Sequence, residues 1–200
     1  MPIVVDHDER RLQVAAVVEQ LVYEAGIEGL TIRDVARRAK CSTSVVSHYF
    51  TSKLELLIFT HRAVRNRAER RLLDGLEQGR SLQSSIESLL PMSDETWREW
   101  HTWFAFWGMA PAEPTVNQEW QAGTADANSI FVRLLEAARQ SGEAPADLDP
   151  VTGSVKLQVV INGIATLVSQ DRAGWPGERQ KSLLREMLAA TLGIVPPVGR

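Results

Sequence analysis

Cysteine occurs once in this chain, at position 41, so no intramolecular disulfide can brace the fold. A lone thiol suits a reducing compartment, and it usually packs as a small apolar side chain rather than sensing redox state. The histidines at 7, 48, 61 and 101 never stand at metal-ligand spacing from Cys41 or from one another, so no metal is expected. No G-x-S-x-G elbow, phosphate-cradling glycine loop or H-E-x-x-H helix is present. An enzyme reading, with or without a cofactor, therefore has no residue set to rest on. No apolar run reaches the eighteen or so residues of a membrane span, and the start, Met1 to Glu9, is too short and acidic for a signal peptide. The expectation is a soluble, cytoplasmic protein with no membrane contact. Strand signals are nearly absent too, because no alternating run is bounded by hairpin turns.

Helix punctuation is abundant instead. From Arg11 to Gly26, Leu12, Ala15, Val18, Leu21, Val22 and Ala25 line one helical face. Thr31 is an N-cap with Asp34 three residues on, and Ile32, Val35, Ala36 and Ala39 then form an apolar stripe. Lys40-Cys41-Ser42 reads as a turn, with Ser42 capping a helix from Thr43 to about Tyr49. Ser52-Lys53-Leu54-Glu55 is a further Ser-x-x-Glu box, opening a long helix to about Gln78. Further helices are predicted over Ser81–Leu90, Ser93 to the prolines at 111 and 114, Pro114 to about Gln140, Pro150 to about Asp171, and, after the breaker Gly174-Trp175-Pro176-Gly177, on to about Leu192. The fold class is all-α, with about nine helices. The expected domains are residues 1–52, a three-helix helix-turn-helix DNA-binding unit, and residues 53–200, a helical effector-binding and dimerisation domain.

Two short helices across a tight turn are the build of a DNA-reading element. Charge agrees. Between Thr31 and Leu72 there are ten Lys/Arg against three Asp/Glu, a local +7 in a chain whose formal net charge is -3. Arg62, Arg65, Arg67, Arg70 and Arg71 fit a solvated helix face. The residues expected at DNA are Thr31, Arg33, Thr43, Ser44, Val45, Ser47, His48, Tyr49 and Lys53. Of these, Thr43, Ser44, Val45 and Ser47 are placed to present to base edges.

The pattern Thr31-x-x-Asp-Val-Ala-x-x-Ala-x-x-Ser42-x-x-x-x-x-His-Tyr-Phe-x-x-Lys53-x-x-Leu56 resembles the N-terminal signature of the TetR family of transcriptional repressors. Ser42-Thr-Ser-Val-Val-Ser-His-Tyr-Phe50 is especially similar to the choline-responsive BetI type within that family. The resemblance implies a homodimeric regulator on near-palindromic operator DNA, with a small-molecule effector in its C-terminal domain. Two positions depart from the family pattern, Lys40 and Ser44, where glycine is usual. A lysine forced to positive φ at 40 would strain the turn. If these departures abolish DNA reading, the chain is instead a helical small-molecule-binding protein.

Four of the six tryptophans lie between Trp97 and Trp107. Trp97, Trp100, Phe104 and Trp107 share one face, with Trp103 beside it. An aromatic stripe at helical spacing is ordinarily core, but tryptophan N–H groups want partners and ring faces can hold a quaternary ammonium. Choline, or another apolar or aromatic effector, is equally compatible with these five residues. In the first of the last two helices apolar residues cover so wide an arc that it needs burial on two sides, and an apolar stripe marks the other. Val160, Ile164, Leu167, Leu184, Met187 and Leu188 are the expected dimer contacts, with burial inside one chain as the alternative.

Overall fold

A computed structural model describes residues 7–194, which form nine helices and no strand. In chain order these are α1 (His7–Ala25), α2 (Ile32–Arg38), α3 (Thr43–Tyr49), α4 (Lys53–Glu77), α5 (Leu82–Glu87), α6 (Asp94–Met109), α7 (Pro114–Ser141), α8 (Pro150–Gln170) and α9 (Gly177–Leu192). The helix ends carry the caps that the sequence announces. Thr31 accepts from the Asp34 N–H at 3.1 Å, and Ser52 from that of Glu55 at 3.0 Å. Ser93 and Thr96 close a reciprocal box, each hydroxyl accepting from the other's backbone N–H at 3.1 Å. Glu55 reaches back further than a capping box requires and accepts from both the N–H and the hydroxyl of Thr51 at 2.7 Å.

The helices make two compact units, one of the chain up to Asn66 with Arg98–Trp120, the other of Arg67–Trp97 with Gln121 onward. In the first, Val14, Val18, Val22, Val35, Val46, Phe50 and Leu56 form a buried apolar cluster drawn from α1 to α4. Arg11 lies over the rings of Phe50 and Phe59, at 5.1 and 4.2 Å, binding α1 to the start of α4.

The same unit buries a polar group. His61 is 4% exposed and stacks on Phe106 at 3.9 Å. Glu119 is held by Arg62 at 2.8 and 2.5 Å and lies 3.5 Å from Arg65. The Arg62 hydrogen bonds keep the Glu119 carboxyl below its ordinary range. Burial, reinforced by the positive field of Arg65, lowers the His61 imidazole from 6.5 to about 4.

In the second unit, α8 packs on α9. Ser154, Leu157, Val160, Ile161, Ile164, Ala165 and Val168 of α8 are buried, as are Leu184, Leu188 and Leu192 of α9. Contrary to the expectation from the sequence, α8 is long and apolar enough for a membrane span by length and composition alone. Its buried stripe and the bond from Lys156 Nζ to the Thr191 carbonyl, 3.1 Å, fit the core helix of this unit.

One joint carries strain. After α2, the Cys41 N–H donates to the Ala36 carbonyl at 2.9 Å and the Lys40 N–H to that of Arg37 at 3.3 Å. These paired bonds are a Schellman closure, which needs a left-handed residue at Lys40. Its φ is 52°, the only positive value outside glycine among the described residues. The strain expected from the sequence is present.

These contacts set two expected outcomes. Lys40→Gly should raise stability by roughly 0.5–1 kcal/mol in urea unfolding, since relief of the left-handed side chain exceeds glycine's added freedom in the unfolded chain. An unchanged or lower midpoint would contradict the strain. The second concerns acid. His61 is neutral when folded but charges on unfolding, so stability is complete above about pH 6.5 and declines as pH falls toward about 4. The loss amounts to roughly 3 kcal/mol at most. His61→Asn should flatten the stability profile in that window, and an identical slope would remove His61 as the cause.

Candidate nucleic-acid interface and aromatic site

The reading head is assembled from helices too short to persist alone. Helix α3 points Val46, 0% exposed, into the cluster, and Phe50 closes it at 2%. That anchorage leaves Thr43, Ser44, Ser47 and His48 exposed, with Val45 and Tyr49 half-buried beside them. Ser42 caps the helix weakly, at 3.4 Å from the Val45 N–H, and its hydroxyl shares a 2.7 Å bond with Ser44. The side chain at 44 is therefore tied to the cap.

Phosphate-binding candidates surround this face. Thr31 and Arg33 are exposed at the start of α2, although the Thr31 hydroxyl donates to Asp34 Oδ2 at 2.5 Å. Lys53 is less free than its place in the sequence suggests, because Nζ donates to the Ile27 carbonyl at 2.8 Å. Two donors of that ammonium remain. His48 and Tyr49 pack edge to face at 5.3 Å, and the ring of His7 stands 4.6 Å from Tyr49. Sequence reasoning missed His7, since no periodicity connects it to α3. Arg37 is paired with Asp34 at 2.6 Å and Arg38 with Glu24, so both are partly neutralised within the chain.

The aromatic residues of α6 divide between the two units. In the first, Trp100 is 2% exposed and meets Trp103 at 4.8 Å, Phe104 at 5.4 Å and Trp107 at 6.0 Å. Trp107 also stacks on Trp120 of α7 at 5.8 Å, an additional ring that no α6 spacing could reveal. Trp103, Phe104 and Trp107 are half-buried, leaving part of each ring available. Trp97 belongs to the second unit, buried beneath the Arg172 guanidinium at 5.2 Å. Of the five residues singled out on α6, Trp103, Phe104 and Trp107 thus gather round Trp100 in the first unit, and Trp97 falls in the second.

The six expected dimer contacts divide between buried and accessible positions. Val160, Ile164, Leu184 and Leu188 are buried within the chain's own second unit, as the alternative of burial inside one chain expects, whereas Leu167 is exposed. Met187 is half-buried. The outward apolar face of α8 runs through Val151, Val155, Val159 and Leu167, exposed by 65, 50, 67 and 36%. Val151, Val155 and Val159 follow one another at a four-residue step, a row that winds slowly round the helix, so Leu167 lies well round from Val151.

Comparison with known proteins places this geometry. Residues 15–58 match the N-terminal family described as bacterial regulatory proteins, tetR family. Residues 78–193 match the family described as BetI-type transcriptional repressor, C-terminal. The HTH-type transcriptional regulator PksA of Bacillus subtilis is 35% identical over 111 residues, 53% of this chain and 54% of PksA, so the match spans about half of that relative. The BetI regulator of Burkholderia mallei is 29% identical over 163 residues, 77% of this chain and 83% of that one. In fold, a transcriptional regulator from Saccharomonospora viridis in complex with choline superposes with a TM-score of 0.80 at 17% identity, covering 92% of this chain and 98% of the other. With a helix-turn-helix on a buried valine anchor and a BetI-type match over residues 78–193, this chain belongs to the TetR family of bacterial regulators.

Proposed function

We propose that the chain is a ligand-responsive transcriptional regulator of the repressor kind, binding near-palindromic operator DNA as a homodimer in the cytoplasm. The observation that carries the reading is α3, whose apolar side is locked by Val46 and Phe50 while Thr43, Ser44 and Ser47 face solvent. A helix so held can enter a major groove without distorting its own unit. Thr43, Ser44, Val45 and Ser47 meet base edges. Thr31, Arg33, His48, Tyr49 and Lys53 meet phosphates and set the register. Functionally, residues 1–52 read DNA and residues 53–200 sense and dimerise.

The exposed face of α8 supports a twofold partner. Val151, Val155, Val159 and Leu167 form a stripe that water solvates poorly, and a second copy offers the same stripe in return. Two reading helices then sit at a spacing that a palindrome can match. For the effector, the rings of Trp100, Trp103, Phe104 and Trp107, joined by Trp120, supply perpendicular faces suited to an apolar, aromatic or quaternary ammonium ligand. Trp97 is the weaker member of the proposed set, because Arg172 already covers its ring. The choline bound to a relative in fold makes choline the first compound to test.

One titration examines DNA and effector together. Fluorescence anisotropy on the DNA upstream of the chain's own gene should give a log–log salt slope of about -5 or steeper. Added choline, or another aromatic-cage ligand, should weaken that binding. A flat salt response would instead favour the helical ligand-binder that no longer reads DNA, which the strained Lys40 turn makes a specific competitor. Separately, Val159→Asp should convert the dimer to monomer in sedimentation, because a charge on a buried apolar seam is left unpaired. A persisting dimer would place the seam elsewhere.

A further inference from the structure

Lys40 is conformationally the wrong residue for its position. Left-handed glycines stand at 26, 79, 142 and 193, whereas here the same backbone state carries a long side chain. The Schellman closure would form as well around glycine, so the backbone gives no reason for lysine. What lysine adds there is its side chain and charge.

Charge pairing across the head bears on that charge. Asp34 holds Arg37 and Glu24 holds Arg38, while Lys53 is anchored on the Ile27 carbonyl. Lys40 and Arg33 are exposed, and their side chains have no hydrogen-bond or ion-pair partner among the described residues. Once internal pairs are discounted, the positive charge of the α2–α3 unit stands at the two ends of α2. Arg33 stands beside Thr31, and Lys40 just before the capped start of α3 at Ser42.

We infer that Lys40 is a phosphate anchor of the reading head, an electrostatic contact made from a position whose backbone would suit glycine. The inference rests on the proposed DNA-binding function. A compact ammonium on a flexible stem suits a phosphate, which offers charge but no sequence information. Lys40 therefore adds affinity on every sequence and leaves the choice of operator to α3.

Substitutions at this one position separate charge from conformation. Anisotropy is measured across a salt series on two duplexes, the DNA upstream of the chain's own gene and a scrambled duplex of equal composition. Lys40→Gly should unfold at higher urea than the wild type yet bind both duplexes more weakly. The loss should be roughly eightfold per protomer near 0.1 M salt, with a salt slope shallower by about one per protomer. Lys40→Gln should show the same loss without the gain in stability, and Lys40→Arg should retain affinity. Wild-type affinity and slope in the Gly and Gln variants would overturn the inference while leaving DNA binding intact. An equal loss in the Arg variant would overturn it as well, since the effect would then lie in shape. If the wild type binds neither duplex, the functional reading fails and takes the anchor with it.

Discussion

Burial of Val46 beneath the reading helix is the contact on which the rest of this protein depends. Helices α2 and α3 have seven residues each, well short of the ~12–15 that persist alone in water. Their caps contribute about 1 kcal/mol each, which trims the deficit without closing it. Stability comes from seating Val35, Val46 and Phe50 against Val14, Val18 and Leu56, each apolar side chain adding roughly 1.5–3 kcal/mol. The polar face of α3 has a defined direction only because its opposite side is held. Thr43 and Ser47 would otherwise sit on a fraying segment.

The first unit continues this logic with polar groups in places where they need compensation. Glu119 would be expensive to bury as a lone carboxylate, and the two-pronged grip of Arg62 makes its charged form tolerable. His61 solves the problem differently, by remaining neutral against the ring of Phe106. Both devices tie α4 to the helices around it. Since α4 also begins at Lys53, which is bonded to the loop before α2, the start of the long helix is tied to the head.

Much of this was legible in the residue order. Thr31, Ser42, Ser52, Ser81, Ser93 and Asp149 announce helix starts, and each of them accepts a backbone N–H bond in the structure. The strain at Lys40 was readable as well, because a Schellman turn requires a left-handed residue whatever its side chain. The exposed face of α8 was not. An apolar residue reads alike whether it faces its own core or a partner's, so Val160 and Ile164 could not be told from Val155 and Val159. Lys53 illustrates the same limit for charge, since a carbonyl 26 residues away accepts its ammonium.

The sequence by itself determined the helical class, the helix ends, the reading head and the family, because caps and apolar periods act within a turn or two of the chain. Tertiary structure alone decided that Trp120 joins the α6 rings and that His7 stands against Tyr49. It also decided that Glu119 receives Arg62 across 57 residues, and which valines of α8 remain in water. These pairings join residues that share no helical period, and only the packing of one element against another brings them within bonding distance.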